Sequence, residues 1–379
     1  MSLKATPPAW LLRPFESRTH LKLVLESLQQ RESARNRARS TSRKANRDDE
    51  AHLQGKHKSP EVVYYSVAIG DRHQAHNRYI QIEPYDRNRV VVAPSITGGL
   101  GSYLNASWVL EKFGQKWWIA TQAPLPQTAH TFLSLIRQPT VRPPRLGPLP
   151  FPTSRVRTVV QLTQNVESGR VKAHEYFPEK VGRTTLIEPD RSQGPVAPLK
   201  VTLLSRQYIE TAHCFWSTVS VVPDSPHPIT EQDLVIFHHL LYTSWPDHGV
   251  PEPEDRQTLL AFVDLVEKIN RDRSLLSHVD PQSLDPDPPI VVGCSAGIGR
   301  TGSFITISSL LRSLSFLPPP VSPTPATYLE PSPFGPLPDG ARGDLVAEEI
   351  DSLRDQRPGM VQRTEQVLLI YQALQDKYN

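Results

Sequence analysis

Cys294 and Arg300 are separated by five residues in the run Ile290-Val291-Val292-Gly293-Cys294-Ser295-Ala296-Gly297-Ile298-Gly299-Arg300-Thr301-Gly302. A short apolar strand, a glycine-rich loop and a helix opening at about Thr301 make a phosphate pocket with a nucleophile at its base. Glycines 297, 299 and 302 let the backbone curl so that several N–H groups converge on one anion, and the helix amino terminus adds partial positive charge. The same field favours thiolate over thiol. A free cysteine titrates near ~8.5, and helix termini or nearby cations bring that to roughly 3.5 to 7.5, so Cys294 is expected to be anionic at neutral pH. Arg300 offers a planar fork that matches two phosphoryl oxygens, and the Thr301 hydroxyl can donate to the sulfur. A buried structural cysteine would account for Cys294 alone and leave the glycines and the arginine without a reason.

Attack by such a thiolate on a phosphoester expels an alkoxide or phenoxide, a poor leaving group unless its oxygen is protonated on departure. The segment Trp245-Pro246-Asp247-His248-Gly249-Val250-Pro251 supplies a carboxyl for that task. Prolines stiffen both ends, Gly249 admits an unusual backbone angle, and Trp245 can anchor a hinge, which suits a loop that closes over substrate. Asp247 would then be the general acid in the first step and the base that activates water in the second. Alone, Trp-Pro-Asp is only a turn sequence.

Together these segments resemble the protein tyrosine phosphatase family, and in particular its cysteine-dependent, tyrosine-specific, non-receptor type. The usual family form has histidine just before the cysteine, where this chain has Gly293. The resemblance implies that the loop backbone from Ser295 through Ala296, Gly297 and Ile298 to Gly299 cradles the phosphate. Asn77-Arg78-Tyr79 and Glu83-Pro84-Tyr85-Asp86 resemble the family's recognition loop, in which the tyrosine, here Tyr79, flanks a pocket deep enough for phosphotyrosine. Two residues later the family commonly has an aspartate that holds the substrate backbone. Gln81 stands there, so a weaker grip on peptides is expected. Glu167 falls where a glutamate pairs the pocket arginine, and Lys172 where a lysine lies near the acid loop. In Arg354-Asp355-Gln356-Arg357-Pro358-Gly359-Met360-Val361-Gln362-Arg363-Thr364-Glu365-Gln366, Gln362 matches the residue that orients the hydrolytic water, Gln366 assists and Arg354 buttresses the pocket. Tyr103-Leu104-Asn105-Ala106-Ser107 and the run from Ile119 to Thr128 match framework segments. The family's chemistry implies no cofactor and no metal, with phosphotyrosine-containing proteins as partners. Without the histidine, the loop loses support just ahead of the nucleophile, and reduced turnover is expected.

The elements that position these residues can be read from pattern. β-branched and aromatic runs predict strands at 90–92, 117–121, 156–162, 201–204, 214–222, 234–242 and 290–292. Helical spacing predicts helices over 18–33, 254–270 and 302–315, and Asp344 and Thr364 read as N-caps of two more. The fold class is α/β: a single domain from 18 to 379 with a twisted mixed sheet flanked by helices, and the cysteine loop between a strand and a helix. Residues 34–60 carry Arg35, Arg37, Arg39, Arg43, Lys44 and Arg47 with almost no large apolar residues, so a flexible insert is expected. Further flexible inserts are expected at the Pro-rich stretches 139–153, 271–289 and 317–343.

Of 379 residues, 38 are proline, about twice the usual ~5% share, which marks much of the length as loop. The two cysteines, Cys214 and Cys294, exclude a disulfide framework, and a catalytic thiol needs a reducing compartment. No apolar stretch approaches the roughly 20 residues of a membrane span, and the first residues are too weakly apolar for a secretory signal. A cytoplasmic location is expected, with nuclear entry through the basic segment 35–47 as an alternative. A formal charge of +3 gives no case for nucleic acid, and the oligomeric state is left open. Two other functions remain open: a phosphotyrosine-binding module with impaired catalysis, and a dual-specificity phosphatase.

Overall fold

The computed structural model describes residues 6–49, 59–92, 102–139, 143, 154–190, 196–226, 233–247, 249–274 and 284–378, with the side chains of 46–49 excepted. The chain opens with helices α1 (Ala9–Glu16), α2 (Arg18–Asp49), α3 (Pro60–Tyr64) and α4 (Ala68–Arg72). Strands β1 (Arg89–Val92), β2 (Ser102–Leu110) and β3 (Trp117–Gln122) lead to helix α5 (Ala129–Arg137). After it come β4 (Thr158–Gln161), a small hairpin of β5 (Val166–Glu167) and β6 (Arg170–Val171), then β7 (Thr184–Ile187), β8 (Leu199–Ile209), β9 (Cys214–Pro223) and β10 (Val235–Tyr242). Helix α6 (Pro253–Arg271), strand β11 (Ile290–Cys294) and helices α7 (Gly299–Ser313), α8 (Leu345–Gln356) and α9 (Thr364–Asp376) complete the domain.

Among the described residues the main sheet has nine strands in the order β1-β2-β3-β11-β4-β10-β9-β8-β7. Its centre is parallel, since β11 pairs with β3 and β4, and β4 with β10, all in the same direction; the pairs on either flank are antiparallel. A strand between parallel neighbours is covered on both faces and must be apolar throughout. β11 meets that demand: Ile290 and Val292 belong to the core shared with α6 to α9, and Val291 to the core under α5 on the other face. Cys294 is therefore delivered at the carboxyl end of a central strand, where open α/β sheets place their ligands.

The α/β class, the mixed sheet and its flanking helices agree with the reading from sequence, with differences that have physical causes. β2 and β7, and helices α1 and α5, were absent from the pattern-based reading. Every residue of β2 from Tyr103 to Leu110 is buried, so its polar members Asn105 and Ser107 hide the apolar run. Asp344 caps α8 by accepting from the Ala347 N–H at 3.0 Å; Thr364, by contrast, is the first residue of α9, whose N-cap is Arg363.

The larger correction concerns 34–60. Residues 34–49 continue α2 rather than forming a flexible insert, while 50–58 lie outside the described residues. Charge, not apolar burial, docks this half of the helix. Arg35 is fully buried and binds Asp351 at 2.6 Å and Asp355 at 2.7 Å. Arg39 donates to the Tyr85 hydroxyl and to Glu32, both at 2.8 Å. Arg43 pairs with Glu83 at 2.5 Å. Burial disfavours the Asp351 carboxylate, yet Arg35 and Arg31 outweigh it and hold its pKa below the ordinary range. Arg35 and Arg39 of the basic run are thus buried and Arg43 is engaged, whereas Arg37 and Lys44 are exposed.

Residues 317–343 are irregular but packed. Leu317, Leu337 and Ala341 join the core, Phe334 stacks on Tyr65 with ring centroids 5.4 Å apart, and the Thr324 N–H donates to the Gln115 carbonyl at 3.0 Å. The other expected inserts fall largely outside the described residues, except that Arg271 closes α6 and 284–289 lead into β11. Among the described residues no helix is long and apolar enough to cross a membrane.

Candidate active site

The loop after β11 wraps back over the end of the sheet, held by backbone contacts on every side. The Leu162 N–H donates to the Gly293 carbonyl at 2.8 Å, and the Ala123 N–H to the carbonyls of Cys294 and Ser295 at 2.9 and 3.1 Å. Gly297 takes φ +70°, and a Cβ there would lie 2.1 Å from the Thr121 carbonyl oxygen, so only glycine passes. A Cβ on Gly302 would lie 2.4 Å from the Val361 nitrogen; its absence lets the 360–362 turn press against the start of α7. Gly293 has a local reason too. A Cβ built there meets the Thr121 carbonyl at 2.7 Å, so the strand sits too close to β3 for the family's usual histidine without a shift of backbone.

The cavity above this loop has a volume of about 220 Å³ and is lined by Cys294, Ser295, Ala296, Ile298, Gly299 and Arg300 at its floor, and by residues of four other segments at its walls. Arg300 forms a bidentate pair with Glu167, Nη1 to Oε1 at 2.7 Å and Nη2 to Oε2 at 2.9 Å, and also donates to the Leu162 and Pro246 carbonyls. Asp247 lines the cavity beside this pair, with one oxygen 2.6 Å from Lys172 Nζ and 3.9 Å from Arg300 Nη2. Burial opposes its ionisation, but hydrogen bonds with Lys172, Ser168 and Glu167, together with the Lys172 charge, prevail and draw its pKa down to about 2. The Tyr79 hydroxyl and the Ser295 hydroxyl are 2.7 Å apart, and Ser295 in turn donates to the Lys172 carbonyl at 2.7 Å.

The structure thus brings Cys294, Arg300, Asp247, Gln362, Tyr79, Glu167, Lys172 and Gln366 to one cavity. Other expected site residues stand outside its wall. Trp245 is buried in the core and roots the acid loop from below. Gly249 takes φ +108°, a backbone angle that favours glycine, and does line the cavity. Thr301 is fully buried, its hydroxyl without a hydrogen-bond partner among the described residues. Gln81 is exposed, at φ +68°, and does not reach the wall. Arg354 acts at a distance: it donates to the Met360 and Val361 carbonyls at 2.9 and 2.7 Å and to the Leu28 carbonyl of α2 at 2.9 Å, which ties α2 to the turn carrying Gln362.

The sequence reading missed Arg357, three residues further on. Fully buried, it donates to the Gly297 and Ala296 carbonyls at 2.7 and 3.2 Å, and to Asn105 Oδ1 and Ser107 Oγ at 2.9 and 3.2 Å. Burial pulls its pKa down to about 10 against the pull of Tyr103 and Cys294, so it stays charged under the loop. Asn105 also donates to the Asn77 side chain and the Ile82 carbonyl at 2.9 and 2.6 Å. One framework residue therefore fixes both the cysteine loop and the recognition loop. The only sequence signal for this was the position of Asn105 and Arg357 inside motifs read as structural.

A model of the protein-tyrosine phosphatase family matches residues 73–144 and 150–319. The chain belongs to the protein tyrosine phosphatase family. It is 30% identical over 88% of its length to human receptor-type tyrosine-protein phosphatase H, covering 24% of that protein. It is 30% identical over 66% of its length to human tyrosine-protein phosphatase non-receptor type 14, covering 18% of it, and 32% over 66% to mouse receptor-type tyrosine-protein phosphatase eta, covering 16%. The chain thus spans about a quarter or less of these relatives, which include receptor and non-receptor types alike.

Proposed function

We propose that the chain hydrolyses phosphotyrosine in proteins through a cysteinyl-phosphate. The observation that carries this reading is the convergence of a cysteine, a carboxylate-fixed arginine, a second carboxylate and a tyrosine on one cavity at the end of a central strand. In the first step the Cys294 sulfur attacks phosphorus while the bond to the tyrosyl oxygen breaks and Asp247 delivers a proton to that oxygen. In the second, Asp247 takes a proton from water, which attacks phosphorus and releases sulfur and inorganic phosphate. The amides of 295–299 and the Arg300 fork stabilise the equatorial oxygens, and the Thr301 hydroxyl, unpartnered in the resting site, would donate to the departing sulfur. Gln362 would orient the water, with Gln366 beside it. Asp247 is ionised when paired with Lys172, so the acid role requires that substrate raise its pKa. A phosphate dianion beside the carboxylate acts in that direction, because like charge disfavours the ionised form. The depth implied by Tyr79 favours tyrosine over the shorter phosphoserine. A reducing, cytoplasmic setting suits the free thiol.

Hydrolysis of p-nitrophenyl phosphate, with Cys294→Ser as control, tests the reading. Activity lost in the variant, a phosphate trapped covalently on the wild-type protein, and phosphotyrosine peptides preferred over phosphothreonine peptides are the expected results. Tight phosphopeptide binding without turnover would make the chain a binding module instead, and equal rates on both peptides would make it a dual-specificity phosphatase. With Gly293 leaving no side chain to brace the loop, turnover is expected below about 10 s⁻¹, the enzyme median; a value well above that would refute the slow-enzyme part.

A further inference from the structure

Every charged residue on the cavity wall but one is paired. Arg300 is held by Glu167 and Lys172 by Asp247. Arg363 also lines the cavity, is exposed, and its guanidinium makes no hydrogen bond or ion pair among the described residues. The recognition loop offers no competing free charge. Arg78 donates to the Ala123 and Pro124 carbonyls and to His174; Glu83 is buried against Arg43; Asp86 accepts from Ser66 and from the N–H groups of Ala68 and Ile69. The residues beside Tyr79, Ile80 and Gln81, are exposed and uncharged.

The place of Arg363 in the fold makes the pattern informative. It is the N-cap of α9, with φ −118° and ψ 153° and no side-chain capping bond, while its own N–H donates to Gln366 Oε1 at 3.2 Å. The Gln366 N–H in turn donates to the Arg363 carbonyl at 3.1 Å, so the first turn is closed by backbone where serine or threonine could accept a helical N–H through the side chain. Arginine cannot accept that bond, and its charge meets the positive end of the helix dipole. Helix stability therefore disfavours arginine here, at the mouth of an anion pocket.

Resting on the phosphatase reading, we propose that Arg363 is a specificity-determining residue that reads a carboxylate side chain flanking the phosphotyrosine, so that the substrate class is acidic phosphotyrosine peptides. A free guanidinium at the rim is matched by a carboxylate in bidentate geometry, and a partly exposed pair of this kind changes affinity by roughly twofold to fivefold at low salt.

The experiment measures affinities of the Cys294→Ser protein, with and without Arg363→Ser, for phosphotyrosine peptides flanked by glutamate, alanine or lysine, at low and high salt. The expected result is a preference of about twofold to fivefold for glutamate over alanine, weaker in high salt, that collapses to near unity in Arg363→Ser and survives in Arg363→Lys. A melting temperature for Arg363→Ser no lower than the parent's would show that the lost preference does not come from a damaged fold. No glutamate preference in the parent protein, or one that Arg363→Ser leaves intact, would overturn the assignment. Because binding is read without turnover, failure of wild-type hydrolysis of p-nitrophenyl phosphate would count against the phosphatase reading alone.

Discussion

The cysteine loop and the acid loop face each other across one cavity, yet they are held in different ways. The cysteine loop is fixed from behind by scaffold: buried Arg357, the Ala123 N–H just after β3 and the Val361 N–H of the turn that goes on to carry Gln362 and Arg363 to the cavity. The acid loop is rooted by buried Trp245, but its tip is gripped from within the cavity, the Pro246 carbonyl by Arg300 at 2.8 Å and Asp247 by Lys172 at 2.6 Å. In the proposed reaction, a nucleophile placed by scaffold would keep its position whatever occupies the pocket. An acid held by the pocket's own cations would be released or recruited when an anion competes for them, coupling its charge and position to substrate.

If the acid loop has this separate duty, Asp247→Asn should give the largest effect. The expected loss is roughly 10²- to 10⁴-fold in kcat, the usual contribution of a positioned acid. The loss should shrink as the leaving group becomes more acidic, because a good leaving group needs no proton. Rates that fall equally for aryl phosphates of high and low leaving-group pKa would remove Asp247 from the acid role. Arg357→Met probes the other side. It leaves the Ala296 and Gly297 carbonyls and Asn105 without their donor in a dry site, at about 1–3 kcal/mol for each buried group left unmatched. Unfolding by urea should show that loss, and kcat should fall while KM changes little for p-nitrophenyl phosphate, since the damage is to loop geometry. An unaltered kcat would mean that the loop keeps its shape without this support.

The same contrast separates what was legible in the sequence from what was not. Residues within the cysteine loop act through local spacing, so the nucleophile, the arginine and the strand-loop-helix setting could be read from thirteen consecutive positions, Ile290 to Gly302. Arg357 acts through carbonyls sixty residues away in sequence, at Gly297, and nothing in its neighbours announces that. Residues 34–49 carry the same lesson more severely. Their composition lacks a core-forming face, and their arginines are held by distant partners: Arg35 by Asp351 and Asp355, more than 300 positions later, Arg39 by Tyr85 and Arg43 by Glu83. A buried ion network is invisible to a hydrophobic pattern, because each half is unfavourable alone. Gly293 was legible as a departure from the family but not as a fit. Only the 2.7 Å approach of the Thr121 carbonyl to its missing Cβ shows why a side chain has no room.

The smallest effect tests the grip itself. Lys172→Met removes the cation that helps hold Asp247 at a pKa of about 2, so the carboxyl should move back toward its ordinary value near ~3.9. For stability the sign is fixed by the depressed pKa in the folded state. The pair's contribution is present above the ordinary pKa and is lost as pH falls through about 2. The gap in stability between wild type and variant should therefore close between about pH 4 and pH 2. For catalysis the direction reverses, because the first step uses the protonated acid. Raising the pKa of Asp247 keeps the proton in place at higher pH, so the alkaline limb of the kcat profile should shift upward in Lys172→Met and stay near its wild-type position in Lys172→Arg, which retains the charge. A limb that moves down, or does not move while the stability gap closes as expected, would separate the Lys172 contact from the acid function and leave the acid loop controlled by Arg300 alone.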